Sequence, residues 1–252
     1  MAAASRFGRY GPMDKYEARG LKIDGTEPER LRARREMLRS MDPETAKTVI
    51  EFHRDLNFFQ ALALAQREGS IIVPNFVHDR ILTETTDEQY LKQNYPVLTG
   101  TLIIYEAPGK PFAGKVVFNW EAHNGTIHSI SFIVPEQFRR LRNCALVVEH
   151  PDFDILDSGN NKFELRLVHG ASVHLIEQFP KKDGWHMPHA ENGIPHGRLV
   201  KESSDSRHLW RITNGSHLGS LGRVRFIWLI DYGRRYVNAY DDWSYDSGVA
   251  FF

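Results

Sequence analysis

The sequence predicts an α+β protein made mainly of antiparallel β-strands, in a sandwich or barrel-like sheet, with two N-terminal helices. Three observations lead to this class. A helical hydrophobic period runs through residues 28–69, a twofold period replaces it from Ile71 onward, and short turn-forming connections separate the later apolar runs. We expect residues 1–27 to form an N-terminal arm and residues 28–252 to form a single α+β domain, with helices in 28–69 and strands in 71–252.

Two helices are expected before the strands begin. Pro28 opens an arginine-rich run of strong helix formers that ends at Arg39. A second helix is predicted over Glu44–Glu68, capped by Asp42 and ended by Gly69. Its apolar residues recur at spacings of three and four, at Val49, Phe52, Leu56, Phe59 and Ala63.

The strands follow in short runs joined by turns. The first three are expected to form a meander over Leu98–Glu106, Lys115–Glu121 and Thr126–Val134, with a hairpin at Asn124-Gly125. Connections as short as these predict antiparallel pairing, because a parallel crossover needs a dozen or more residues. Further strands are predicted at Ala145–His150, Phe163–His169, Ser172–Phe179, Leu209–Thr213, Arg223–Asp231 and Arg235–Asp241.

Composition excludes several classes of protein. Among 252 residues, 32 Lys and Arg balance 32 Asp and Glu, so the whole chain has no net charge that would attract nucleic acid or an acidic membrane. The single cysteine, Cys144, excludes an internal disulfide and zinc-ribbon patterns. No apolar run is long enough for a membrane helix, and the N-terminus lacks the apolar segment of a secretory signal, which predicts a soluble, cytoplasmic protein without a membrane partner.

A histidine-rich segment, Gly184–Arg198, is the strongest candidate for chemistry. His186, His189 and His196 are candidate ligands of a divalent transition metal, because imidazole nitrogens suit such ions. Glu191 is a candidate fourth ligand or general base, and Arg198 is placed to hold an anionic substrate group. The alternative is an ordinary loop at the rim of the sheet whose histidines only form hydrogen bonds; its prolines and glycines favour a loop and exclude the helical His-Glu-x-x-His arrangement.

No complete catalytic motif is present, and three functions stay open. The first is a binding or assembly protein with a basic helical arm that contacts a protein partner or a second copy of the chain. The second is a metal- or histidine-dependent enzyme that uses His186–His196. The third is nucleic-acid binding through the arginine-rich helix, because the arginine clusters at Arg30–Arg39 and Arg139–Arg142 could neutralise phosphates. The zero net charge favours a solvated or protein-binding face for the helix instead.

Overall fold

The computed structural model describes residues 27–85, 90, 97–106, 108–121, 126–210, 222–231, 235–240 and 247–252. The predicted N-terminal arm lies outside these ranges except for its last residue. Mixed and antiparallel sheets combined with helices confirm the α+β class. The sandwich arrangement stays a prediction.

Four α-helices occur in the described part of the chain. They are α1 (Glu27–Ser40), α2 (Pro43–Val49), α3 (Phe58–Glu68) and α4 (Asn75–Glu84). The predicted cap is confirmed, since the Asp42 carboxylate accepts a hydrogen bond from the Thr45 N–H at 2.9 Å. The predicted end is confirmed as well, because Gly69 closes α3 with a left-handed φ of 57°.

The continuous helix predicted over Glu44–Glu68 is wrong. A strand, β1 (Glu51–Leu56), separates α2 from α3. β1 pairs antiparallel with the C-terminal strand β14 (Ser247–Phe251), so its backbone groups are bonded to a segment almost 200 residues away. That pairing overrides the local helical period. The predicted apolar stripe is also wrong on α3, where Ala63 is exposed and the buried face consists of Phe58, Ala61, Leu64 and Ala65.

The larger of the two sheets contains ten strands. Its order is β1-β14-β2-β12-β13-β11-β9-β10, with β5 bonded to β2 and β8 bonded to β5. The described strands run from one edge to the other without closing into a barrel. Besides β1 and β14, its members are β2 (Val97–Glu106), β5 (Ala145–Glu149), β8 (His174–Ile176), β9 (Gly184–Pro188), β10 (Pro195–His196), β11 (Arg207–Trp210), β12 (Gly222–Asp231) and β13 (Arg235–Tyr240).

The smaller sheet has the order β3-β4-β7-β6. Its strands are β3 (Lys115–Glu121), β4 (Ile127–Ile133), β6 (Phe153–Asp157) and β7 (Lys162–Leu167). The antiparallel pairing of β3 with β4 is confirmed, and the predicted turn at Asn124-Gly125 lies outside the described residues. The three-stranded meander is wrong because β2 belongs to the larger sheet. Uniform antiparallel pairing is also wrong, since β14–β2, β4–β7 and β11–β13 are parallel.

One hydrophobic cluster joins the two sheets and α3. It contains Phe58 of α3, Leu102 of β2, Leu146 of β5 and Phe132 of β4, all less than 2% exposed. Burial of side chains of this size supplies most of the stabilising free energy of such a fold. No helix in the described ranges has both the length and the apolar character needed to cross a membrane.

Buried ion pairs attach α1 to the segment after β5. Asp152 is fully buried and accepts hydrogen bonds from Arg35 at 2.7 Å and from Arg32 at 2.5 Å. Arg39 pairs with the buried Glu149 at 2.7 Å. Burial raises the pKa of Glu149, and the charges of Arg39 and Arg35 oppose that rise. These arginines of the basic run are thus engaged within the fold.

A buried histidine on α4 makes stability depend on pH. His78 is fully buried, and its Nδ1 lies 3.3 Å from the Tyr90 hydroxyl. Burial lowers the pKa of His78 to about 3. At pH values between the folded pKa and the ordinary histidine pKa of about 6.5, the ring binds a proton in the unfolded chain but not in the folded protein. The contribution of the neutral His78 ring to the free energy of unfolding is therefore present in full above about pH 6.5 and is lost as the pH falls toward the folded pKa.

We expect His78→Gln to flatten the pH dependence of unfolding. The free energy of unfolding should fall less steeply between pH 6 and pH 4 in the variant, by about 1.4 kcal/mol per pH unit, the value for one proton. Urea titrations at several pH values measure this slope. His169→Gln, at an exposed position, is the control that should leave the slope unchanged. Equal slopes in the wild type and His78→Gln would refute the assignment.

Candidate functional site

The histidine-rich segment forms a β-hairpin where the sequence predicted a loop. β9 and β10 pair antiparallel, with His196 opposite Met187. The turn between them is closed by a hydrogen bond from the Gly193 N–H to the His189 carbonyl at 2.8 Å. Gly193 has a φ of 69°, which favours glycine, so the glycine that suggested a loop serves the hairpin turn.

The register of this hairpin separates the predicted histidines. Successive strand residues point to opposite faces, so His196, which lies across from Met187, shares a face with that residue and not with His186. His186 is 2% exposed, and its Nε2 donates a hydrogen bond to the Lys182 carbonyl at 3.2 Å. Its Nδ1 is buried and has no hydrogen-bond partner within the described ranges.

His189 and His196 lie together on the other side. Their ring centroids are 5.3 Å apart, in an edge-to-face arrangement. Beside them, His174 of β8 places its Nδ1 3.3 Å from a carboxylate oxygen of Glu191. Burial lowers the pKa of His189, and the neighbouring charge of His196 lowers it further. We call His174, His189, Glu191 and His196 the histidine cluster. A neutral imidazole next to a carboxylate-held imidazole can accept and pass on a proton.

The arrangement does not support the metal expected at His186, His189 and His196. Within the described part of the chain, no three His, Cys, Asp or Glu side chains are grouped so that they could hold a metal ion. The physical reason lies in the hairpin register, which turns His186 away from the other two.

His186 and Arg198 instead line a cleft of about 480 Å³. Its walls come from the segments before β5, after β8 and after β10. The Phe179 N–H donates to the Asn143 carbonyl at 2.9 Å, and the Gly197 N–H donates to the Gln178 carbonyl at 2.7 Å, which ties the three segments together. We call this the basic cleft, because its lining includes Arg142, Lys181, Lys182 and Arg198.

The basic cleft has a marked excess of positive charge. Four cationic side chains line it against one carboxylate, Glu177. The four cations are exposed, and none of them forms an ion pair with a carboxylate of the described ranges. Arg142 donates a 3.4 Å hydrogen bond to the Gly109 carbonyl, and the other three cationic side chains have no hydrogen bond to a residue of the described ranges. Unpaired charges that converge on one concavity raise the local concentration of anions.

The buried His186 ring is a further polar group in the lining of this cleft. Because a carbonyl oxygen only accepts, the bond to Lys182 fixes the proton on Nε2 of the neutral ring. Nδ1 is then an acceptor for a hydroxyl group, and becomes a donor to an anionic oxygen when the ring binds a second proton. A buried nitrogen without a partner costs free energy that a ligand would recover.

Sequence reasoning identified two residues of the basic cleft and three of the histidine cluster but did not separate them. It missed His174, Lys181 and Lys182, which carry no motif, and it named Arg142 only within the arginine cluster Arg139–Arg142, away from the histidines. Comparison of the chain with protein-family models, curated proteins and solved structures finds no match.

Proposed function

We propose that the protein binds a small organic anion carrying a phosphate group in the basic cleft. One observation supports the proposal: four cationic side chains without ion pairs in the described ranges line the same cleft as a 2%-exposed imidazole whose Nδ1 has no hydrogen-bond partner there. The proposal keeps the class of binding protein expected from the sequence, with a small anion as the ligand in place of a protein partner.

The size and charge of the cleft support a small ligand. A volume of about 480 Å³ falls within the range typical of small-molecule sites. A phosphate carries nearly two negative charges and several acceptor oxygens, so it can contact several cations at once. Phe179 and Pro180 are buried in the same lining and offer apolar surface to the rest of the ligand.

The positions of the other arginines favour this cleft over the α1 helix as the anion site. Arg32, Arg35 and Arg39 of α1 are held by the buried carboxylates Asp152 and Glu149. Phosphates of a nucleic acid would have to displace those carboxylates from pairs that are already desolvated. Arg198 and Lys182 in the cleft have no such competitor in the described ranges.

Charge removal in the cleft is expected to weaken anion binding. Titration calorimetry with inorganic pyrophosphate should show binding by the wild type that weakens as the salt concentration rises. The double variant Lys182→Gln/Arg198→Gln should bind at least about tenfold more weakly, because it loses two charge-assisted contacts.

Lys201→Gln provides the matched control for this measurement. Lys201 is an exposed lysine that does not line the cleft, so its loss should change the affinity less than about twofold. Equal losses in the control and in the double variant would mean that pyrophosphate responds to overall charge, and would contradict a defined site.

The histidine cluster supports a second candidate, an enzyme that uses histidine as a general base. The observation that favours it is the 3.3 Å contact between His174 and Glu191 next to His189, whose lowered pKa keeps it neutral at pH 7. In this alternative, Glu191 keeps the catalytic role expected from the sequence by orienting His174.

A further inference from the structure

A second cavity, unrelated to the basic cleft, lies between α1, α3 and the smaller sheet. Its volume is about 560 Å³. We call it the apolar cavity, because hydrophobic side chains form most of its wall. They include Leu31 of α1, Phe59 and Leu62 of α3, Phe153 and Ile155 of β6, and Phe163 of β7.

The charge of this cavity is opposite to that of the basic cleft. Glu27, Asp154 and Asp157 line it and are exposed at its mouth, while none of the described lining residues is a lysine or an arginine. Arg166 lies across the strand pair from Asp154 but is bonded to Glu164 at 2.9 Å, and no cation of the described ranges forms an ion pair with Asp154 or Asp157. The mouth therefore attracts a cation.

A buried polar group completes the lining. His150 is 7% exposed, and its Nδ1 accepts a hydrogen bond from the Ile72 N–H at 3.3 Å. Burial, followed by the charge of Arg35, lowers the pKa of His150 to about 4, so the ring is neutral at pH 7 and carries its proton on Nε2. Nε2 has no hydrogen-bond partner within the described ranges and is the ring nitrogen left for a ligand.

These features select one kind of ligand. The apolar wall accommodates a hydrocarbon or aromatic body, since burial of such surface from water is favourable. The carboxylates at the mouth match an ammonium group, and the neutral N–H of His150 matches an uncharged oxygen acceptor. Phe59 and Phe163, whose ring centroids are 4.7 Å apart, add aromatic faces that also favour a cation.

We propose that the apolar cavity is a binding site for an amphipathic amine, with its apolar body against α3 and β6 and its ammonium group at Asp154 and Asp157. The site is independent of the anion proposed for the basic cleft, because the two cavities share no lining residue and have opposite charge.

Three probes with eight-carbon chains and different head groups separate the apolar contribution to binding from the contribution of charge. Calorimetric titration of the full chain with octylammonium, octanol and octanoate at pH 7 should give the tightest binding for octylammonium, weaker binding for octanol and the weakest for octanoate. Octylammonium should exceed octanoate by at least about tenfold, because the carboxylates attract one and repel the other. Equal affinity for octylammonium and octanoate would overturn the proposal.

Matched substitutions locate the site. Asp154→Asn/Asp157→Asn removes two charges but keeps the side-chain oxygens that accept from the Ile155 and Gly159 N–H groups, so the fold should be retained. Octylammonium affinity should fall about tenfold while octanol affinity changes less than about twofold. Asp205→Asn, at an exposed carboxylate outside the cavity, should change neither value.

A filling substitution tests the apolar wall independently. Ala63 is an exposed lining residue of α3, so Ala63→Trp should fold and place a bulky ring in the mouth of the cavity. All three probes should then lose binding, whereas pyrophosphate affinity at the basic cleft should stay unchanged. Unaltered octylammonium binding by Ala63→Trp would overturn the proposal.

Discussion

Replacement of Asp152 by alanine is expected to lower the free energy of unfolding by about 3–5 kcal/mol, because it removes the buried carboxylate that two guanidinium groups share and leaves Arg35 with only Glu36 at 3.0 Å and Glu149 at 4.0 Å. Asp152 is fully buried and holds Arg35 at 2.7 Å and Arg32 at 2.5 Å. It also accepts a 3.2 Å hydrogen bond from the Ser172 N–H. The variant thus loosens α1 from both the segment after β5 and the start of β8. Urea unfolding at pH 7 measures the loss.

Two further variants define the origin of this effect. Asp154→Ala, two residues along at an exposed position, should lose less than about 1 kcal/mol. Arg35→Met/Asp152→Ala should be more stable than the sum of its single variants predicts, since it removes one buried charge together with its partner. A loss below about 1 kcal/mol for Asp152→Ala would show that the buried pairs do not hold α1.

A methyl group added at Gly100 is expected to destabilise the larger sheet by about 3 kcal/mol, the upper end of the usual cost of overpacking. A Cβ atom at this position would lie 2.2 Å from the Ile72 carbonyl oxygen and 2.9 Å from its carbon. Both are backbone atoms of a fully buried residue, so they cannot move aside as a flexible side chain would. The same glycine donates to the Val73 carbonyl at 2.8 Å and accepts from the His150 N–H at 2.7 Å.

Gly114→Ala provides the matched control for Gly100→Ala. Its new methyl group would lie 3.8 Å from Arg139 Nε, which is ordinary van der Waals contact at an exposed position. Its stability should stay within about 1 kcal/mol of the wild type. Thermal or urea unfolding of both variants gives the comparison, and equal stabilities would contradict the close approach of β2 to residues 72–73.

Much of the local structure could be predicted from the sequence because it depends on nearby residues. The bounds of β3 match the predicted Lys115–Glu121, and the Asp42 cap and the Gly69 end depend on side chains within one turn. β1 could not be predicted in this way. Its strand conformation comes from pairing with β14, which no local period reveals.

Prediction of the candidate site from the sequence is limited in the same way, because its geometry depends on long-range contacts. The histidine-rich segment was recognised by its residue types, but their roles depend on the hairpin register, which places His186 and His196 on opposite faces. Arg142 and Lys182 join His186 only through contacts between separate segments. In the sequence, Arg142 belongs to an arginine cluster and Lys182 is an ordinary charged residue, and neither pattern indicates that the two side chains line one cleft with His186.

The most direct test of the central claim, anion binding beside a buried imidazole, is nitrogen NMR of the histidine side chains during titration with pyrophosphate. We expect the Nδ1 resonance of His186 to shift on binding, because this nitrogen has no hydrogen-bond partner in the described ranges and gains one from the ligand. The resonances of His189 and His196, on the other face of the hairpin, should stay in place. An unchanged His186 signal at saturating pyrophosphate, or a shift confined to the histidine cluster, would contradict the account.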